Sequence, residues 1–124
     1  MGVKTAEVIL PLRPISKPRP RSFMGQSRPY NDPVYKKWIK NARAHMTEFW
    51  TNEPLDFVNN LHISFRGPAR GDLDNRAGSI LDAGNGLIWK DDNVKVIGNM
   101  TLQWHHTKEK EAHIILHITW EEDE

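Results

Sequence analysis

Two spacings of apolar residues alternate along this chain, and their order limits the possible folds more than any other feature. Val8, Ile9, Leu10 and Leu12 form a short apolar run ended by Pro14, which predicts a first strand from about Thr5 to Leu12. Tyr35, Trp38, Ile39, Ala42, Met46, Phe49 and Trp50 then recur at steps of three and four, with Lys36, Lys37, Lys40 and Arg43 on the opposite side. With Asp32 as N-cap and Pro33 as first helical residue, this spacing predicts an amphipathic helix over 33–49. Phe57, Leu61, Ile63 and Phe65 predict a strand from Phe57 to Arg66, ended by Gly67 and Pro68. From Asn75, Ala77, Ile80, Leu81 and Gly84 return to helical spacing, and Asn85-Gly86 is a stop signal. Val94 to Trp104 and Ala112 to Trp120 alternate apolar with polar residues, which predicts two strands joined as a hairpin through the charged stretch 107–111. The order strand, helix, strand, helix, strand, strand predicts an α+β two-layer sandwich: a mixed sheet of about four strands with two helices.

At 124 residues the chain is read as one domain, 1–124. Its 38% hydrophobic content, with five Trp, is enough for a packed core, and no run reaches the roughly 20 apolar residues that span a bilayer. The N-terminus lacks the long apolar stretch of a secretory leader, so the expectation is a cytoplasmic protein with no membrane partner. The absence of Cys excludes disulfides, thiolate metal sites and Cys nucleophiles, so any metal must be held by carboxylate, imidazole or carbonyl groups.

The net charge of +1 conceals an uneven distribution. Residues 1–50 carry ten Lys or Arg against three acids, while residues 51–124 carry seven against thirteen. A basic surface beside an acidic centre suits a protein that draws in phosphates and holds a cation; a basic face and an acidic tail are the plainer reading. From Arg13 to Pro33 there are five Pro and five basic residues, a spacing that removes amide donors and excludes a helix. Lys17, Arg19 and Arg21 alternate there with Pro18 and Pro20, a stiff layout suited to DNA backbone contacts, or else a solubilising loop.

Gly71-Asp72-Leu73-Asp74-Asn75 lies at the junction of a predicted strand and helix. In extended backbone, carboxylates two residues apart project to one side and can share one hard cation; the alternative is that Asp74 or Asn75 caps the helix. A second pair, Asp91-Asp92, would by itself be an ordinary turn. His105, His106, His113 and His117 gather near the expected hairpin and are read as half-exposed strand residues before a metal site.

Taken together, the basic segment Pro14 to Arg21, Asp72-Leu73-Asp74-Asn75, Leu81-Asp82-Ala83, Asn85-Gly86 and Asp91-Asp92 resemble the RusA family of Holliday junction resolvases, crossover junction endodeoxyribonucleases, over about residues 10–100. The resemblance implies that Asp72, Asp74 and Asp92 are the catalytic, metal-binding carboxylates. It further implies dependence on Mg²⁺, with Mn²⁺ as a substitute, and a homodimer that makes paired cuts in four-way branched DNA. It also implies a bacterial or phage protein working in a bacterial cytoplasm. Asn75, Asp82 and Asp91 are candidates to support that centre from behind its ligands, and Lys17, Arg19, Arg21, Arg76 and Lys90 are the candidate DNA contacts. One departure stands out: the family motif has a Lys four residues after its second carboxylate, where this chain has Gly78. The missing cation leaves two options, a replacement from Arg76, Lys90, Lys17 or Arg19, or a junction-binding protein with weak or no cleavage. Gly78 and Gly84 also each weaken the second helix by about 1 kcal/mol relative to Ala.

Overall fold

The computed structural model describes residues 2–18, 22–23, 26–27 and 32–122. Strand β1 (Gly2–Leu10) leads into an irregular segment, and a short ribbon pairs β2 (Ser22–Phe23) with β3 (Gln26–Ser27). There follow α1 (Pro33–Phe49), β4 (Asn60–Gly67), α2 (Leu73–Gly84), β5 (Met100–His106), a 3-10 turn at Glu109–Glu111 and β6 (His113–Glu122). The four long strands form one mixed sheet in the order β1-β6-β4-β5. The α+β architecture is the one that the two apolar spacings predict.

Helix α1 occupies the expected span because its start is written twice in the sequence. The Asp32 carboxylate accepts from the Val34 and Tyr35 amides at 2.8 and 3.2 Å, and Pro33 supplies a first position that needs no amide partner. Trp38, Ala42 and Met46, one turn apart, are its buried stripe. They meet Val8 and Leu10 of β1, Leu61, Ile63 and Phe65 of β4, Ala77 and Ile80 of α2, and Ile114, Leu116 and Ile118 of β6 in one core. Each large side chain fully buried there contributes roughly 1.5 to 3 kcal/mol.

The expected hairpin does not form. β5 and β6 are separated by β4, which is parallel to β5 and antiparallel to β6. Alternation sets which face of a strand is buried and leaves its neighbour undetermined. The slot is decided by burial: β6 buries Ile114, Leu116, Ile118 and Trp120 and sits inside the sheet, whereas β5 has no fully buried residue and takes the edge. The connection through α2 is long enough to return β5 parallel to β4. β5 also begins at Met100 instead of Val94, because Asn93 closes a turn: its carbonyl accepts from the Val96 and Ile97 amides and its side chain from the Lys95 amide.

The segment after β1 is tied down at three points. Trp38 Nε1 donates to the Arg13 carbonyl at 2.9 Å, Arg76 Nη1 to the Pro14 carbonyl at 3.1 Å, and the Lys17 amide to the Asn75 carbonyl at 3.2 Å. Residues 13–17 therefore run along the two helices.

Candidate active site

Helix α2 begins two residues before the expected Asn75. Asp72 is its N-cap, with φ −93° and ψ 136°, and Leu73 and Asp74 already belong to the first turn. The extended Asp72-Leu73-Asp74 geometry expected from the sequence is thus replaced by a cap and a helical turn. The cause lies upstream: Gly71 turns the chain at φ +72°, where other residues are strained, and the Arg76 amide closes the first helical bond on the Asp72 carbonyl at 3.1 Å. A methyl group on Gly71 would also stand 3.1 Å from Arg76 Nη2.

The cap reading explains the backbone of Asp72 and leaves its side chain unused. Its carboxylate makes no capping hydrogen bond, and neither it nor that of Asp74 has a hydrogen-bond or ion-pair partner among the described residues; both are exposed. The second acidic pair divides its labour. Asp91 accepts from the Asp92 amide at 2.8 Å and from Asn93 Nδ2 at 2.9 Å, and so closes its own turn. The Asp92 carboxylate is exposed and without a partner among the described residues. Hard cations take oxygen donors of this kind, so the donor chemistry of Asp72, Asp74 and Asp92 fits a divalent ion. Among the described residues, however, no three His, Asp or Glu side chains stand close enough together to hold one.

Asp82 is fully engaged elsewhere. It accepts from the Tyr35 hydroxyl at 2.7 Å and forms an ion pair with Lys17 at 3.1 Å. Burial, that hydrogen bond and the Asp82 charge together hold the Tyr35 phenol far above the ordinary tyrosine range. The Lys17 chain crosses α2 at Gly78, where a Cβ would lie 3.0 Å from its Cδ and 3.3 Å from its Cβ. The lysine closest to the vacated helical position is therefore Lys17, with its ammonium directed to Asp82, two turns beyond Asp74.

The other candidate cations differ in how much of each is free. Lys90 is paired with Asp56, and the Asn75 carbonyl anchors Lys17. Arg76 is a clamp: Nε and Nη2 donate to the Arg70 carbonyl at 3.3 and 3.0 Å, Nη1 reaches Pro14, and the guanidinium lies 5.7 Å from the Trp104 ring centre. Burial, then the charges of Arg13 and Arg70, lower its pKa from the usual arginine value. Arg19 and Arg21 lie outside the described residues. Three of the four histidines near the expected hairpin serve local structure: His106 Nδ1 accepts from the Ala69 amide at 3.2 Å, His113 Nδ1 bonds the Glu111 carbonyl at 2.8 Å, and His117 approaches Glu7 at 3.5 Å.

Sequence reasoning missed Arg13, Arg70 and Trp104. They line a cavity of about 140 Å³ with Arg76 and Glu109. Arg70 immediately precedes Gly71-Asp72, and that adjacency was the available signal.

The family model described as Endodeoxyribonuclease RusA matches residues 11–119. The chain belongs to the RusA family. That match runs from the end of β1 to β6 and includes both acidic motifs. No curated protein sequence gives a match. No helix among the described residues is long and apolar enough to cross a membrane.

Proposed function

We propose that this chain is a divalent-metal-dependent endonuclease, of a single domain over residues 1–124, that resolves four-way DNA junctions by paired phosphodiester hydrolysis as a homodimer. The observation that carries the reading is the division among the five aspartates of the family motifs. Asp82 and Asp91 are spent on protein partners, while Asp72, Asp74 and Asp92 keep their carboxylates free among the described residues. Unpaired exposed carboxylates are a poor use of charge for stability and a good one for ligation. Asp72, Asp74 and Asp92 would hold Mg²⁺, or Mn²⁺ in its place. Such an ion supplies positive charge at the attacked phosphate and lowers the pKa of water. A water oxygen adds to phosphorus, the bond to the leaving oxygen breaks, and the leaving oxygen takes up a proton.

Lys17, Arg19, Arg21, Arg76 and Lys90 are the proposed DNA contacts. An ammonium has three N–H donors, so Lys17 and Lys90 keep two each for phosphate while paired with Asp82 and Asp56. Arg76 acts chiefly by holding the 70–72 turn against Pro14. Asn75, Asp82 and Asp91 support the centre through the bonds they make.

Asp74→Asn is the direct test. With synthetic four-way junctions in Mg²⁺, the variant should bind as tightly as the parent or more so, because it removes negative charge near phosphate, and should make no product. Equal cutting by variant and parent would refute the assignment.

One observation favours a second reading, a junction-binding protein that cuts poorly. The Lys17 ammonium is occupied at Asp82, and Gly78 brings no cation of its own. A parent that binds junctions but yields no product in Mg²⁺ or Mn²⁺ would establish that reading over the first.

A further inference from the structure

Three arginines meet in one concavity with too little acid to balance them. Arg13, Arg70 and Arg76 line the cavity of about 140 Å³, and its one acidic residue among the described residues is Glu109, 3.6 Å from Arg13 in an exposed pair. The Arg70 guanidinium has no hydrogen-bond or ion-pair partner among the described residues. Arg76 commits three of its five N–H donors to carbonyls, which fixes its plane and leaves two. Like charges gathered in one concavity repel: burial first, and then the charges of Arg13 and Arg70, lower the pKa of Arg76. An oxyanion removes the conflict, and guanidinium groups match phosphate oxygens in geometry as well as charge.

We infer that this cavity is a phosphate subsite that anchors a DNA strand through one backbone phosphodiester beside the one to be cut. The inference rests on the nuclease reading for its substrate. A volume of about 140 Å³ admits a phosphate group. A second groove, lined by Ala69, Arg70, Gly71, Leu73 and Trp104, shares Arg70 and Trp104 with the cavity. A strand held at the arginines is thereby led past Gly71 to the start of α2, where Asp72 and Asp74 stand. Arg76 and Trp104 form the rigid part of the subsite, and Arg70 is the cation free to close on the phosphate.

The test measures junction binding in chelator, where no cutting occurs. Arg70→Ala should weaken binding about tenfold and reduce its salt dependence by about one ion, while Lys37→Ala, on the outer side of α1, should change neither. Junctions carrying a neutral methylphosphonate at successive positions should bind the parent weakly at one position per strand and bind Arg70→Ala without that dip. An unchanged salt slope together with an unchanged methylphosphonate profile overturns the proposal, as does a parent that does not bind junctions. Inorganic phosphate at matched ionic strength separates the two sources of the anion: a thermal shift in the parent, lost in Arg70→Ala, with no methylphosphonate dip assigns the cavity to free phosphate and overturns the strand anchor. Arg13→Ala, read in the same way, guards against a local folding defect in one variant. A junction that is bound with the expected dip and never cut in Mg²⁺ removes the nuclease reading and leaves the subsite standing.

Discussion

Gly84→Ala reverses the ordinary rule for glycine in a helix, and the structure gives the size of the reversal. In an open helical position the change stabilises by about 1 kcal/mol. Here the new Cβ would fall on the Trp89 ring, 2.7 Å from Cε2 and closer still to Cζ2 and Cη2, against an ordinary carbon contact of about 3.5 to 4.0 Å. Trp89 is fully buried, and its Nε1 donates to the Leu81 carbonyl at 3.2 Å, so the ring has no cheap direction of retreat. Overpacking of this kind costs about 1 to 3 kcal/mol, and a strained or lost indole hydrogen bond adds about 1. The net expectation is a loss of about 1 to 3 kcal/mol, which lowers the melting temperature by roughly 4 to 12 °C in thermal denaturation. The effect should reach the site as well. The Trp89 carbonyl accepts from the Gly86 amide at 2.7 Å, and the Lys90 amide bonds the Leu55 carbonyl at 3.0 Å, so the ring sets the approach of the chain to Asp91 and Asp92. Cleavage by Gly84→Ala at low temperature should fall while junction binding is kept. A variant as stable as the parent would refute the packing argument.

Three further outcomes follow from the same contacts. Gly78→Ala should change stability by less than about 0.5 kcal/mol in urea unfolding, since the helical gain is offset by crowding against the flexible Lys17 chain at 3.0 Å. Arg76→Lys replaces a three-bond clamp with a point charge and should cost about 1 to 3 kcal/mol on the same assay. Tyr35 holds its proton more tightly folded than unfolded, so its contribution to stability is complete below pH 10.0, the unfolded value, and is lost as pH rises from there toward the folded value. Alkaline unfolding midpoints should therefore drop more steeply in the parent than in Tyr35→Phe, and equal slopes would contradict the assignment.

What could be read from the sequence depended on whether the information was local. The bounds of α1 follow from Asp32-Pro33 and a repeating apolar stripe, all within one segment. The start of α2 was misplaced because Asp72-Leu73-Asp74 carries no apolar period; its helical turn is set by Gly71 and Arg76. Strand neighbours were hidden for the reason that hid the hairpin's absence: alternation names faces only. The acidic motifs themselves were legible in the sequence, and the division of their side chains into bonded and free was not. For Asp82 that division depends on Tyr35 and Lys17, which are 47 and 65 residues away. The Lys17 chain lying over Gly78 belongs to the same class of fact. The odd glycine at 84 finds its reason in Trp89, five positions on, where a turn folds the indole back onto the helix.

The position of β6 has a consequence for biosynthesis. β1 and β4 are bridged through β6, the strand that leaves the ribosome after both. Until residues 113–122 emerge, the facing edges of β1 and β4 have no partner, and the sheet exists in two unconnected pieces. Pairings between such distant parts of a chain form slowly, because the loops that separate them must close first. A nascent chain stalled before His113 should accordingly expose two apolar strand edges at once, and make a good client for holdase chaperones.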